Sequence, residues 1–471
     1  MAIVPPRALR LSLIVHRRKV ECRMAKLFRN SNGRIVAVSL TIFFADFATR
    51  ADNWPAWRGP HGSGNSAESS VPIYWSTNQN VAWKAPLPDR GNSTPIVWEQ
   101  RVFLTQGIEK ENRRAVFCFD GKTGSLLWQS GVTSMEKEPK DPNNPPCTPS
   151  AVTDGKRVIA WFGAAGVYCY DFNGRELWHR VLGSPTHEWG YASSPVLHGN
   201  LCILNFGPGP LSFVIALNKN TGETVWKHVL AGMPVDSKWK DYAGQTPYDD
   251  RPDAAKISDV AGSWATPLVV RATGRDEVII AAPLRLLALS ARTGKELWYC
   301  DGPNIGIYSS PFYGDGLVVL AAGGLQNSMM AVTPGGSGNV TPTRRVWFQS
   351  LPNSKATIGS GIIFQKRIYN ITTGGFLECI ELETGKLLWE QRLIGTGARN
   401  GTWSSPVSGG KYVYVSNQNG DVFVIRPGAG FECVATNSIG GELMNASLAV
   451  SAGAFFLRTE KNLWCVREKA E

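Results

Sequence analysis

The sequence has few of the features by which enzymes and metal proteins are usually recognised. It contains six histidines and nine cysteines among 471 residues. It has no Cys-x-x-Cys pair for zinc and no Cys-x-x-Cys-His motif for a c-type haem. The Gly-x-Ser-x-Gly, Walker and His-Glu-x-x-His motifs are missing as well. No motif in the sequence therefore indicates a reaction, and the missing motifs favour a protein that is not an enzyme.

Long apolar runs and a strong charge of one sign are also lacking. The apolar run 35–45 has eleven residues, whereas a membrane span needs about 20. The formal net charge is +11, but residues 1–51 hold ten Lys+Arg and two Asp+Glu and so carry +8 of it. Residues 52–471 therefore carry a net charge of +3, which is typical of an ordinary protein surface. We therefore expect neither a nucleic-acid partner nor an integral membrane protein.

The first 51 residues predict a secretory leader. Basic residues precede the apolar run 35–45, and small residues at 46–48 or 49–51 offer a cleavage site. Met24 is the expected true start, because the residues before it add only basic sequence. An uncleaved anchor is the alternative. No cysteine lies at the cleavage point, which argues against a lipoprotein, so we expect a periplasmic or secreted protein.

A tryptophan returns along the rest of the chain at nearly even spacing. Five of its seven copies follow a turn of Gly and polar residues, as in 120–128 and 381–389. A period of roughly 40–50 residues that carries several short strands is typical of a propeller. The seven repeat tryptophans are Trp83, Trp128, Trp178, Trp226, Trp298, Trp347 and Trp389.

Each unit opens with a Ser/Thr-rich step before an apolar run. The clear copies lie at 93–97, 148–152, 193–197, 265–269, 309–312 and 404–407, and weaker ones at 358–363 and 446–450. Two β-rich runs follow before the Thr-Gly turn, so a unit reads as four antiparallel strands. The segment 80–87 matches a fourth strand before any opening step occurs. We predict that it completes the last blade, which leaves only short protected edges.

These repeats resemble the PQQ-like (pyrroloquinoline quinone-like) β-propeller repeat family, whose eight four-stranded blades share an Ala/Asp-x-x-Thr-Gly-x-x-x-Trp step. The opening 54–64 is similar to the lead-in of secreted bacterial propellers of that family. The resemblance implies an all-β, eight-bladed propeller at 75–467, with a lead-in at 52–74 and a tail at 468–471.

Four cysteines occupy one position of the repeat, next to last in the third strand. They are Cys118, Cys169, Cys379 and Cys465. Equivalent positions of neighbouring blades are expected to lie beyond the roughly 7 Å between Cα atoms that a disulfide permits. We therefore predict buried, small apolar side chains here, with disulfides as the alternative.

Loops that lead into the inner strands of a propeller gather at one end of its central channel, where function usually lies. Aromatic and polar residues of these loops are the candidates to line a small-molecule or glycan pocket. They are His187, Glu188, Trp189, Trp264, Tyr308, Arg399 and Trp403. One alternative is that Trp264, Tyr308 and Trp403 pack the inner ends of the blades, which is favoured for Trp264 and Trp403. Another is that His187 and Glu188 belong to a solvated loop.

The longest of these loops, 231–262, mixes aromatic and acidic residues. Asp249, Asp250 and Asp253 offer carboxylate oxygens of the kind that Ca²⁺ prefers. Their spacing is not that of an EF-hand, which favours a solvated acidic loop over a Ca²⁺ site.

The resemblance implies two kinds of function. Quinoprotein dehydrogenases of this superfamily oxidise alcohols or sugars with PQQ and Ca²⁺, but the adjacent cysteines of the large alcohol dehydrogenases have no counterpart here. Other relatives are propeller lipoproteins of outer-membrane protein assembly, whose lipid-bearing cysteine is also missing. We expect a monomeric, non-catalytic scaffold without a cofactor that binds an envelope protein, peptide or glycan on its loop face. A PQQ- and Ca²⁺-dependent oxidoreductase with an atypical site is the alternative.

Overall fold

The computed structural model describes residues 13–16, 19–29, 35–43, 53–135, 138, 141–230, 262–303, 306–323 and 327–468. The chain divides into two units, Met1–Arg50 and Ala51–Glu471. The first contains an antiparallel sheet of β1 (Leu13–His16), β2 (Lys19–Arg29) and β3 (Ile35–Phe43). Removal of this segment as a secretory leader stays a prediction. Within the described residues, no helix has the length and apolarity of a membrane span.

The second unit consists of eight sheets of four antiparallel strands each, one of which gains a fifth strand. This confirms the predicted eight-bladed propeller. Blades one to four consist of β5 (Ile96–Trp98), β6 (Arg101–Ile108), β7 (Arg113–Asp120), β8 (Leu126–Thr133); β9 (Val152–Thr153), β10 (Arg157–Trp161), β11 (Val167–Asp171), β12 (Glu176–Arg180); β13 (Val196–His198), β14 (Leu201–Phe206), β15 (Phe213–Asn218), β16 (Thr224–Val229); β17 (Leu268–Ala272), β18 (Arg275–Ala282), β19 (Arg285–Ser290) and β20 (Glu296–Asp301). Blades five to eight consist of β21 (Phe312–Gly314), β22 (Leu317–Ala322), β23 (Asn327–Val332), β25 (Arg345–Leu351); β26 (Ile362–Phe364), β27 (Arg367–Ile371), β28 (Phe376–Glu381), β29 (Leu387–Arg392); β30 (Val407–Gly409), β31 (Tyr412–Ser416), β32 (Asp421–Ile425), β33 (Cys433–Ser438); β34 (Ala449–Ser451), β35 (Ala454–Arg458), β36 (Asn462–Arg467) and β4 (Val81–Pro86).

The ring closes between the two ends of the propeller sequence. Strand β4 is the outermost strand of the eighth blade and pairs antiparallel with β36, so that Trp83 faces Cys465. The closure predicted from the segment 80–87 is therefore confirmed. Because the first and last strands share one sheet, unfolding of either end opens the ring.

The repeat tryptophans lie in the fourth strands, and each faces a small residue of the third strand. The facing residue is Cys or Ala in seven blades, and a register shift follows it at once in all eight. In the seventh blade the sizes are exchanged, since Ala435 faces Val424. Six indole N–H groups donate to a carbonyl of the next blade, as Trp83 does to Gly121 at 3.0 Å. The tryptophans thus fill space within a blade and join it to its neighbour.

The four cysteines at the repeat position are buried and free. Burial raises the pKa of the thiols of Cys118, Cys169 and Cys465 to about 12, and that of Cys379 to about 11. These groups are therefore protonated at neutral pH, and they act as small apolar side chains beneath the tryptophans, as predicted.

The fifth blade departs from the repeat. A longer connection at 333–344, with the short strand β24 (Gly338–Asn339) and the single helical turn α1 (Thr341–Arg344), replaces the Thr-Gly turn. Strand β24 pairs in parallel with β20 beside Trp298. The indole of Trp298 donates to the buried Glu277 at 2.7 Å, within its own blade.

The glycine of the Thr-Gly turn is required for two reasons, which a matched pair of substitutions separates. Gly124 has φ +73°, and an added Cβ would lie 2.6 Å from the ring of Trp83. Gly274, in the hairpin turn between β17 and β18, has φ +83°, and no described atom lies within 4 Å of its Cβ position. We expect G124A to lower the free energy of unfolding by about 3 kcal/mol, through backbone strain and overpacking. G274A carries the strain alone and should cost about 1 kcal/mol. Urea unfolding measures both, and equal losses would show that the contact with Trp83 contributes nothing.

Candidate functional site

A closed ring of eight hydroxyl groups surrounds the central channel. The backbone N–H of each residue in this hydroxyl ring donates to the side-chain oxygen of its counterpart in the next blade, at 2.8 to 3.2 Å. Its members are Thr94, Ser150, Ser194, Thr266, Ser310, Ser360, Ser405 and Ser447. The Ser/Thr-rich steps of the sequence therefore hold the inner ends of the blades together. In the second blade the ring residue is Ser150, which follows the proline of the step, whereas the ring residues Thr94, Ser194, Thr266, Ser310 and Ser405 precede theirs.

A second tier lies above the hydroxyl ring, on the side of the loops that lead into the inner strands. It consists of the residue two positions before each ring residue, because alternate residues of an extended chain share a face. All eight members line one cavity. They are Asn92, Thr148, Ala192, Trp264, Tyr308, Ile358, Trp403 and Asn445. Each blade thus contributes one side chain to this upper tier, and the type of side chain varies from blade to blade.

The central cavity has a volume of about 470 Å³. Four of the five aromatic residues in its described lining come from one part of the ring, the loops before blades three, four, five and seven; we call Trp189, Trp264, Tyr308 and Trp403 the aromatic wall. Its amides come from the adjoining part, the loops before blades eight, one and two; we call Asn92, Asn143, Asn144 and Asn445 the amide wall. Asp141 is the one charged residue among the described residues that line the cavity.

Three members of the aromatic wall, Trp189, Trp264 and Tyr308, form one cluster of rings. The ring of Trp264 lies 5.8 Å from that of Trp189 and 5.2 Å from that of Tyr308. The imidazole of His187 packs edge-on against Trp264 at 4.6 Å. The indole N–H of Trp264 donates to the carbonyl of Gly190 at 3.0 Å. These contacts fix the orientation of Trp264, which stays partly exposed towards the cavity.

The amide wall is held by hydrogen bonds between its own members. Asn92 donates to the carbonyl of Asn143 at 2.8 Å, and Asn445 donates to the side-chain oxygen of Asn92 at 3.4 Å. Gln418 donates in turn to Asn445 at 2.9 Å. Asn144 donates to the carbonyl of Trp189 at 2.6 Å, which ties the amide wall to the aromatic wall. A primary amide has two donors and an acceptor with two lone pairs, so these side chains keep capacity for a ligand.

A buried ion pair anchors the loop that carries Asp141, Asn143 and Asn144. Arg114 and Glu138 are almost fully buried and lie 3.3 Å apart. Glu138 also accepts a hydrogen bond from the backbone N–H of Ala164. The loop is therefore bonded to the second blade as well as to the first.

Of the seven candidate residues from the sequence analysis, some lie together at one cavity and others do not. Trp189, Trp264, Tyr308 and Trp403 line the central cavity, and His187 supports them from behind. Trp264 and Trp403 thus form part of a cavity wall rather than only packing between blades. Glu188 and Arg399 are exposed and do not line this cavity. Asp249, Asp250 and Asp253 lie outside the described residues.

Of the lining residues that the sequence analysis did not name as candidates, five belong to the amide wall or to the lead-in. Asn92 and Asn445 belong to the upper tier, and counting back two positions from each ring residue would have found them. Asn143 and Asn144 come from an irregular Pro-rich loop that offers no such rule. The fifth is Trp57 of the lead-in, which also lines the cavity.

Comparison with known proteins identifies the family. The family model described as outer membrane protein assembly factor BamB matches residues 73–213 and 212–470. The chain belongs to this family. The structure of BamB from Moraxella catarrhalis aligns with a TM-score of 0.53 and 16% identity, over 86% of this chain and 99% of that chain. At this identity the likeness shows the fold alone.

A weaker likeness extends beyond the BamB family. Quinohemoprotein alcohol dehydrogenase from Comamonas testosteroni aligns with a TM-score of 0.46 and 13% identity, over 89% of this chain and 81% of that chain. No curated protein matches this chain by sequence.

The described lining of the central cavity does not fit pyrroloquinoline quinone. That cofactor carries several carboxylates, and burying them requires cations or strong donors. No Lys, Arg or His is among the described lining residues, and Asp141 would repel an anion. Ca²⁺ takes six to eight oxygen ligands, and the described residues contain no group of three or more His, Cys, Asp or Glu that could hold a metal.

Proposed function

We propose that this protein is an exported, non-catalytic propeller that binds a neutral sugar unit of a glycan in its central cavity. The observation that carries the proposal is the pairing of an aromatic wall with an amide wall in a cavity with one charged residue among its described lining. Its volume of about 470 Å³ lies within the range of small-ligand sites, about 300–1,000 Å³.

A sugar ring presents two chemistries that match the two walls. Its C–H faces are apolar. Burying them against Trp264 and Trp403 stabilises the complex by about 25 cal/mol for each Å² of apolar surface removed from water. Its hydroxyls are donors and acceptors that lose free energy when buried without partners. The amides of Asn92, Asn144 and Asn445 and the hydroxyls of the ring supply partners of both kinds. Asp141 is the only charged side chain of the described lining that could form an ion pair with a charged ligand.

A protein or peptide partner is the second candidate. Membership of the BamB family supports it, because the description of that family names a role in protein assembly. A long peptide would make backbone hydrogen bonds to exposed strand edges or lie across the loop face. The volume of the central cavity, about 470 Å³, favours a small rigid unit over such a chain.

Calorimetric titration of the mature chain, residues 52–471, tests the proposal. The ligands are linear hexasaccharides of α-1,4-glucose, β-1,4-glucose and β-1,4-N-acetylglucosamine. One-to-one binding of at least one, with quenching or enhancement of tryptophan fluorescence, is the expected result. No heat with any of the three would reject the proposal in favour of a protein partner. Dye-linked oxidation of a sugar that depends on PQQ and Ca²⁺ would contradict its non-catalytic part.

A further inference from the structure

The lead-in of the propeller starts beside the first and second blades. Trp54 exchanges two backbone hydrogen bonds with Val97 of the inner strand β5, at 2.9 and 2.7 Å. The carbonyl of Pro55 then accepts a hydrogen bond from the N–H of Thr153 in β9, at 2.8 Å. Both contacts involve inner strands beyond the hydroxyl ring, on the side away from the upper tier.

Three residues later the lead-in is bound to the sixth blade. Arg58 is 2% exposed, and its guanidinium donates to the carbonyls of Ser360 and Gly361 at 2.9 and 2.6 Å. Burial lowers the pKa of Arg58 to about 9. Ser360 is itself a member of the hydroxyl ring, so this contact lies directly beneath the ring. The lead-in continues along the seventh blade, where Gly64 and Ser66 bond to Ser408.

The second and sixth blades are opposite each other in a ring of eight. Residues 56–59 form a turn in which the N–H of Gly59 donates to the carbonyl of Ala56 at 2.9 Å, and the long arginine side chain reaches from this turn to the sixth blade. The segment between Pro55 and Arg58 therefore crosses the axis of the channel, and only Ala56 and Trp57 lie between the two contacts. Trp57 lines both the central cavity and a second cavity, as do the ring residues Thr266 and Ser310, and it is the one residue of the lead-in among these three.

The second cavity lies on the far side of Trp57. It has a volume of about 740 Å³ and is lined by the lead-in and by the inner strands of blades one to five, with Trp98 among its walls. Trp98 does not line the central cavity. Trp57 and Trp98 therefore form a natural pair for comparison, because one touches both cavities and the other touches one.

We infer that the lead-in closes the central channel with Trp57 as its floor, so that the cavity accepts the end of a glycan chain and not an internal stretch. This inference rests on the proposed function. A channel open at both ends would let a chain thread through, whereas a closed one admits only a terminal unit from the loop face. Trp57 is then a specificity-determining residue that offers an aromatic surface to that unit.

End-modified ligands test the inference. The three hexasaccharides are titrated free, coupled to a carrier protein at the reducing end, and capped at the other end, by 4,6-O-benzylidene on the glucose chains and the N-acetylglucosamine chain alike. We expect one modification to leave the affinity within about twofold and the other to abolish binding. If both modified forms bind as well as the free sugar, internal units are recognised and the inference is wrong although the proposed function stands. If no free hexasaccharide binds, both are rejected.

Two variants test whether Trp57 forms the floor of the central cavity. We expect W57A to lower the affinity for the free hexasaccharide about tenfold, the loss of an aromatic contact of about 1.4 kcal/mol. W98A should leave the affinity within about twofold, since Trp98 lines the second cavity alone. Thermal unfolding of both variants shows whether the lead-in has stayed in place. If it has not, the titrations of the unmodified chain with capped ligands still test whether the cavity accepts only a chain end. Equal affinities of W57A and W98A would overturn the assignment of Trp57.

Discussion

Replacing Trp83 by alanine is expected to lower the free energy of unfolding by about 3–5 kcal/mol, the usual cost of deleting a buried tryptophan. The indole is 8% exposed, covers Gly124 of the first blade and donates to the carbonyl of Gly121 at 3.0 Å. It faces Cys465 within the eighth blade. The substitution thus opens a void at the seam where the two ends of the propeller meet, and the Gly121 carbonyl loses its indole donor.

The position of this seam makes Trp83 different from the other repeat tryptophans. Elsewhere neighbouring blades are consecutive in the chain, so a weakened contact leaves them covalently connected. At the seam the two ends meet through non-covalent contacts, among them the pairing of β4 with β36, the docking of Trp83 and the hydrogen bonds of Ser447 and Arg458 to the first blade. Loosening this contact releases β4 and gives the loss of stability a second source, since an open ring exposes sheet edges.

Trp389 provides the matched control. It occupies the same repeat position, faces Cys379 and donates to the carbonyl of Gly428 at 3.2 Å, but it is partly exposed and lies within the chain. W389A should cost about 1–2 kcal/mol less than W83A, because less apolar area is lost from the interior. Urea unfolding followed by circular dichroism measures both. A larger loss for W389A would show that the seam has no special role.

Most of the fold could be predicted because the repeat signals report local physics that recurs in every blade. A repeat tryptophan needs a small facing residue in its own blade and a turn of the next blade that places glycine beside its ring, and both recur at fixed positions of the repeat. The fifth blade is the exception, since its connection 333–344 replaces the turn by β24 and α1. No short-range pattern indicates that this strand will lie beside Trp298 of the preceding blade.

The cavity was harder to predict because its walls combine a repeat rule with irregular loops. Trp264, Tyr308 and Trp403 follow the two-residue alternation of the upper tier, so their direction is set by the hydroxyl ring. Arg399 lies four residues before Trp403, but the loop turns there. Its neighbour Asn400 accepts a hydrogen bond from the N–H of Gly395 at 2.8 Å. Such local bonds decide where a loop residue points, and sequence spacing does not reveal them.

Replacing Trp264 by alanine is expected to lower the affinity for the best-binding hexasaccharide about 30-fold, or about 2 kcal/mol. The side chain stands at the centre of the aromatic wall, between Trp189 and Tyr308. Truncation removes its own stacking surface and the edge against which His187 packs at 4.6 Å. Since Trp264 is partly exposed, stability should fall by less than in W83A. Titration calorimetry gives the affinity, and thermal unfolding gives the control.

A companion substitution on the amide wall decides whether both walls contact one ligand. N445A removes a primary amide that bonds to Asn92 and Gln418, and we expect a loss of about fivefold, or roughly 1 kcal/mol. If one sugar unit lies between the walls without further coupling, the losses of W264A and N445A add in the double variant. A double variant no weaker than W264A alone would mean that the amide acts only on a ligand already held by the tryptophan. Unchanged affinity in N445A would remove the amide wall from the site and leave a purely aromatic surface, which suits an apolar peptide side chain better than a sugar.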